Sequence, residues 1–182
     1  MRRLILFRHG KAEMAGVTGG DRERALAERG RADSARTARW LLACGFAPDL
    51  VLVSPALRTQ ATWDCVSACF PNAKVELRAP LYLAGTETIL EVLEATPAAA
   101  DTVMVVGHNP GLQELAVHLA ETGSAPALQV HRIEDGLPTA AAAVFSMDDA
   151  EGATLEALYE PAREAGQPPR WSYARGAAGA KA

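Results

Sequence analysis

Three short apolar runs constrain the fold of this chain most: Leu4-Ile5-Leu6-Phe7, Leu50-Val51-Leu52-Val53 and Val103-Met104-Val105-Val106. Continuous runs of this length, rich in Val, Ile and Leu, read as parallel strands covered on both faces. Each stops abruptly, at Arg8-His9-Gly10, at Ser54-Pro55 and at Gly107-His108-Asn109-Pro110-Gly111. Helical patterns follow them. Residues 28–44 put Ala32, Ala35, Ala38 and Leu42 on one face and break at Gly45, and residues 56–69 do the same with Leu57, Ala61, Cys65 and Ala68. A shorter segment, 87–96, carries Ile89, Leu90 and Leu93, while residues 110–121 place Leu112, Leu115, Ala116 and Leu119 at amphipathic spacing. Strand alternating with helix predicts an α/β fold: a three-layer α/β/α sandwich with a mostly parallel central sheet. Residues 140–147 and 153–159 read as a closing strand pair around a turn at 148–152.

The chain has 182 residues, 49% of them hydrophobic, enough for one well-filled domain. The pattern predicts that domain over residues 1–160. From 161 to 182 the composition turns to Gly, Pro, Ala and Arg, which predicts a loosely ordered tail that Trp171 and Tyr173 can dock. A formal charge of −4 argues against nucleic acid or an anionic membrane as the main partner, so any anion must be met by a local cluster. Cys44, Cys65 and Cys69 are odd in number and lack CxxC spacing, which predicts free thiols rather than a disulfide framework or a zinc site. The apolar run after Met1-Arg2-Arg3 is too short for a secretion signal, and no segment reaches membrane-spanning length, so a cytoplasmic location is expected.

The strand ends carry the chemistry. Ser54 and Asn109 each precede a proline, and read as caps of helices whose first residue is that proline. The free amides of those helices then face the sheet edge at which open α/β folds bind ligands. Arg8, His9, Arg58 and His108 converge on the same edge. Arginine forks hold phosphate oxygens, histidine is a nucleophile, and Gly10 lets a ligand approach the backbone. Such a cluster suits a tetrahedral dianion. Lys11 extends the cationic edge, and Asp21 and Arg24 line its entrance. His118 lies inside a helix and reads as structural; His131 sits in a polar loop segment.

At these residues the chain resembles a known family. The run from Leu4 to Gly10 is similar to the signature of the histidine phosphatase superfamily, the phosphoglycerate-mutase-like fold. Ser54-Pro55-Ala56-Leu57-Arg58-Thr59-Gln60-Ala61 resembles its second block, and Gly107-His108-Asn109-Pro110-Gly111 its second-histidine block. The segment Asp21–Gly30 resembles the SixA-type phosphohistidine phosphatases most, with Ala25 and Ala27 where that branch usually has Pro and Thr. The resemblance implies that His9 attacks phosphorus to form a phosphohistidine intermediate, which water hydrolyses. Its other ring nitrogen is then expected to donate to a backbone carbonyl. Arg8, Arg58 and His108 hold the phosphoryl oxygens, with Gly10, Lys11, Asp21, Arg24 and Asn109 as further phosphate or substrate contacts. No metal or other cofactor is called for. Many members use a carboxylic acid between the second and third blocks, and Glu87 is the nearest candidate here.

The implied substrate is phosphohistidine on a protein such as a histidine-phosphotransfer domain, since imidazole leaves without the strong acid that an alkoxide needs. One alternative is a small-molecule phosphomonoesterase of the same fold, which predicts a working acid at Glu87. Another is a non-catalytic phosphate- or phosphoprotein-binding module. A mutase fits less well, because little chain is left for the insertions that shape a sugar-phosphate site.

Overall fold

In the computed structural model all three apolar runs are strands, and the residues described are 1–16, 19–123, 125–148, 152–162 and 167–175. The chain begins with β1 (Arg3–Arg8), the small pair β2 (Ala12–Gly16) and β3 (Arg24–Leu26), and α1 (Glu28–Ala43). Next come β4 (Leu50–Val53), α2 (Leu57–Val66), β5 (Lys74–Leu77), α3 (Thr86–Glu94) and β6 (Thr102–Gly107). It closes with α4 (Gly111–Thr122), α5 (Ala127–Glu134), β7 (Ala142–Asp148), β8 (Gly152–Glu160) and β9 (Trp171–Ala174).

The main sheet has seven strands in the order β5-β4-β6-β1-β7-β8-β9. Strands β1, β4, β5 and β6 are mutually parallel, while β7, β8 and β9 add on antiparallel, so only β7 and β9 run against the rest. The mostly parallel sheet is as expected. Leu4, Leu6, Val103 and Val105 pack on one face with Ile89 of α3, Leu112 and Leu115 of α4 and Ile133 of α5. Ile5, Phe7, Val51, Val53, Met104 and Val106 pack on the other with Ala38 and Leu41 of α1 and Trp63 and Val66 of α2. That two-sided burial is why the runs show no alternation. It also fixes register, with Arg8 opposite Gly107 and Val53 opposite Val106, so that β1, β4 and β6 end side by side.

Two helices turn a different face inward from the one expected. Helix α1 buries Gly30, Asp33, Ser34, Thr37, Ala38 and Leu41, while Ala32 and Leu42 look outward. Its buried hydroxyls are satisfied: Ser34 donates to the Gly30 carbonyl at 2.7 Å, and Thr37 to the carbonyls of Asp33, one turn back, and Ala140, across the fold, at 3.1 and 2.7 Å. Helix α2 buries Arg58, Thr59, Thr62, Trp63 and Val66 and leaves Leu57 exposed. Reading apolarity alone misplaces such helices, because a hydrogen-bonded hydroxyl is cheap to bury. Helix α4 buries Leu112, Leu115, Ala116 and Leu119 as expected.

The caps differ too. Helix α2 starts after Ala56 and α4 after Pro110, neither with a side-chain cap. The Ser54 hydroxyl lies 2.7 Å from His108 Nε2 instead, and Asn109 Nδ2 donates to Gln113 Oε1 and the Leu137 carbonyl at 2.9 and 3.0 Å. His131 lies in helix α5 rather than a loop, because the segment 127–134 turns Gln129 and Ile133 inward. The tail expected from 161 onward contains one ordered strand: β9 covers the edge of β8, with Tyr173 opposite Leu158. Residues 163–166 and 176–182 of that tail, and 149–151 of the expected turn, lie outside the described residues.

Gly10 owes its identity to packing. A Cβ there would stand 2.5 Å from the Gly30 carbonyl oxygen and 2.7 Å from Ser34 Oγ, so α1 can approach the end of β1 only over a glycine. Gly10→Ala is expected to cost roughly 1–3 kcal/mol by urea unfolding, the range for overpacking a filled site. Gly85→Ala, whose Cβ would meet nothing within 4 Å, gives up only glycine's preference at the start of α3 and should cost less, about 0.5–1 kcal/mol.

Candidate active site

The site grows from the ends of β1, β4 and β6. Beyond β1 the ladder continues for one residue, as His9 N–H donates to the Gly107 carbonyl at 3.1 Å. His9 Nδ1 lies 2.7 Å from the Gly10 carbonyl, an atom that only accepts. The ring proton therefore sits on Nδ1 and the lone pair on Nε2. Burial pushes His9 down to about 4; the Gly10 hydrogen bond opposes this, and the charges of Arg58, Arg8 and Arg24 add to it. The imidazole is neutral at physiological pH, the form in which it can act as a nucleophile.

Arg58 ties the groups together. It is the second residue of α2 and 2% exposed. Its Nε donates to His9 Nε2 at 3.3 Å, and its Nη1 to the Asp21 carbonyl at 2.6 Å. Its Nη2 reaches Asp21 Oδ2 at 2.9 Å and His108 Nδ1 at 3.3 Å. A guanidinium has donors only, so His108 Nδ1 accepts, and His108 Nε2–H donates to Ser54 Oγ. His108 is 3% exposed. Burial, then the charges on His9 and Arg58, push it down to about 3, with Asp21 pulling the other way. The two imidazole centroids lie 5.2 Å apart.

Asp21 supplies the anion. Burial alone would raise its pKa, but hydrogen bonds from Arg24 at 3.1 Å, Tyr82 at 2.9 Å and Arg58 outweigh it and hold the carboxyl at about 2. The carboxylate bonded to Arg58 is thus ionised and has no proton to give. Tyr82 also sets its ring edge-to-face on His108 at 5.8 Å. It follows the 3-10 turn Ala79–Leu81, in a stretch without periodicity, so no local signal marks it as a site residue. Thr62 was equally invisible: its hydroxyl accepts from Gly10 N–H at 3.0 Å and donates to the Arg58 carbonyl at 2.7 Å, clamping α2 to the end of β1.

His9, Arg58, His108, Asp21 and Arg24 therefore form one bonded network, joined by Tyr82 and Ser54. Arg8 and Asn109 flank it and share an acceptor, as Arg8 Nη1 and Asn109 Nδ2 both donate to the Leu137 carbonyl, at 2.7 and 3.0 Å. Lys11 is exposed, and its backbone carbonyl receives the N–H of Ala27. Glu87 is exposed in the first turn of α3, and among the described residues no hydrogen bond or ion pair links it to the network. His118 is exposed on α4, away from these contacts.

The arrangement is chemically directed. The N–H groups of Arg58 rest on His9 Nε2 and His108 Nδ1. A tetrahedral oxyanion bound here would compete for those donors and free the His9 lone pair. An anion oxygen facing His108 Nδ1 would favour protonation of that nitrogen.

Comparison with known proteins gives matches to sequence and to fold. Residues 4–81 match the model of the histidine phosphatase superfamily, branch 1. An uncharacterized protein of Mycobacterium tuberculosis is 33% identical over 125 residues, 69% of this chain and 77% of that protein. An uncharacterized chloroplastic protein of Arabidopsis thaliana is 32% identical over 130 residues, 65% of this chain but only 59% of the plant protein. The structure of a candidate phosphohistidine phosphatase, SixA from Agrobacterium tumefaciens, aligns with TM-score 0.72 and 28% identity, covering 80% of this chain and 92% of that one.

Ring-proton NMR tests the protonation scheme. In the free protein His9 and His108 should titrate far below the ordinary value of about 6.5, near 4 and 3. Saturating sulfate should raise the His108 midpoint, with matching proton uptake by calorimetry in buffers of different ionisation enthalpy. Midpoints near 6.5 in the free protein would contradict the scheme. Stability follows the same sign. Below pH ~6.5 the unfolded histidines bind protons that the folded ones refuse, so stability is full above that pH and falls as pH drops towards 4. Arg58→Lys, which keeps the charge and loses the fork, should lower kcat for phosphoryl transfer on the order of 10²-fold or more.

Proposed function

The chain belongs to the histidine phosphatase superfamily, and we propose that it removes the phosphoryl group from phosphohistidine on a protein, by way of a phosphohistidine at His9. The Nε2 lone pair of His9 forms a bond to phosphorus as the P–N bond to the substrate imidazole breaks. The departing nitrogen keeps the bonding pair and leaves as neutral imidazole when the substrate's other ring nitrogen carries a proton. Water then attacks phospho-His9 in line, returning the pair to Nε2 and releasing inorganic phosphate. Arg58, Arg8 and protonated His108 hold the phosphoryl oxygens through both steps and stabilise the charge that develops.

One observation carries the choice of substrate. The carboxylate bonded into the network, Asp21, is held ionised at about 2, and Glu87 has no bond to the network. A phosphate ester leaves as an alkoxide and needs a proton in the transition state; a phosphoramidate can bring its own. The likeness to the SixA structure supports the same reading.

The test compares a phosphorylated histidine protein with p-nitrophenyl phosphate and an alkyl phosphate, using wild type, His9→Ala and Glu87→Gln. Rapid loss of phosphohistidine, slow alkyl ester turnover, no activity in His9→Ala and a change below about twofold in Glu87→Gln are expected. Efficient alkyl ester hydrolysis that collapses in Glu87→Gln, with phosphohistidine untouched, would establish the small-molecule phosphomonoesterase instead.

A further inference from the structure

A cavity of about 190 Å³ opens beside the network, on the α4 and α5 side of the sheet edge. Its walls include Arg8, Asn109, Gln113, Arg132, Asp135 and Arg170, but not His9, Arg58 or His108. Arg8 therefore borders both spaces. The volume is below the ~300–1,000 Å³ of pockets that enclose a whole small molecule, and suits a single side chain.

The charges are uneven. Arg132 donates through Nε and Nη2 to the two oxygens of Glu160, which is 1% exposed, at 2.8 and 2.6 Å. Arg170 Nε stands 3.8 Å from the same carboxylate, beyond hydrogen-bond reach. Among the described residues Arg8 commits only Nη1, to the Leu137 carbonyl. Three guanidinium groups among the described residues line or border this cavity with the carboxylates of Glu160 and Asp135, and Arg8 and Arg170 keep N–H donors without a hydrogen-bond partner there. Arg8 Nε and Asn109 Oδ1 are shut off from water without a partner among the described residues, which native structures rarely tolerate without a ligand or a function. The first is a donor and the second an acceptor. An acidic side chain offers a carboxylate to the remaining N–H groups of Arg170 and Arg8.

We propose that this cavity is a second recognition subsite, which takes an acidic side chain lying beside the phosphohistidine on the substrate protein. The inference rests on the phosphohistidine-protein reading and adds to it a rule of selection. The phosphoryl group alone fills the network around Arg58, and a carboxylate a short distance away on the same surface engages Arg170 and the outer face of Arg8. A small phosphoramidate cannot reach both.

The experiment measures kcat/KM on a phosphorylated histidine protein and on phosphoramidate, for wild type, Arg170→Glu, Arg170→Lys and Gln113→Glu, which brings a carboxylate to the opposite wall. The ratio of the two values should fall about tenfold or more in Arg170→Glu and in Gln113→Glu, mainly through KM on the protein substrate, with Arg170→Lys in between. The wild-type value on the protein should also fall more steeply with salt than that of Arg170→Glu. An unchanged ratio in both charge variants overturns the subsite and leaves the phosphohistidine reading standing. A wild-type protein that hydrolyses phosphate esters but not the phosphoprotein overturns that reading, and this inference with it.

Discussion

One buried cation organises this molecule. A guanidinium taken from water costs several kcal/mol unless it is paired and hydrogen-bonded, and Arg58 is almost fully enclosed. Its partner Asp21 comes from the segment between β2 and β3, outside the main sheet, and binds it through carbonyl and carboxylate together. That requirement draws the small β2–β3 pair over the sheet edge, and Tyr82 and Arg24 then fix Asp21 in place. Burial keeps His9 and His108 neutral and the Arg58 charge adds to it, while the Arg58 donors dictate which ring nitrogen of His108 carries the proton. Fold and tautomer at the site thus meet in one side chain.

The sequence was legible where chemistry and periodicity coincide. Strand runs covered on both faces are plain in sequence, so the central sheet and the positions of Arg8, His9 and His108 at its edge could be read directly. Arg58 was legible because it follows the second run closely. Partnerships were not. Ser54 and Asn109 have the residue types of helix caps, yet Ser54 serves His108 and Asn109 holds Leu137 and Gln113, because α2 and α4 begin later than their prolines suggest. Tyr82 and Asp21 meet across 61 positions of sequence, and only the closed fold brings them together. The inward faces of α1 and α2 were misread because their buried threonines and serine satisfy themselves on nearby carbonyls. Strands β5 and β9 are short edge strands, β5 with three of its four residues exposed, and lack the apolar run that marks a central strand.

The polar network also explains a division of labour. In the proposed reaction the groups inside it hold and transfer the phosphoryl group, and among the described residues the carboxylate bonded into it, Asp21, is held ionised. In that proposal, selection among substrates falls to the leaving group's own chemistry and to surfaces outside the network, such as the arginine-lined cavity beside Arg8.

The central claim is that the Gly10 carbonyl, by fixing the His9 proton on Nδ1, makes Nε2 the atom that bonds to phosphorus. Rapid quench of the protein with a phosphorylated histidine protein, followed by alkaline digestion and phosphorus NMR of the trapped phospho-enzyme, tests it most directly. The account predicts an acid-labile phosphohistidine on His9, linked through Nε2 and absent from His9→Ala. A phosphoryl group linked through Nδ1, or carried by any other residue, would contradict it.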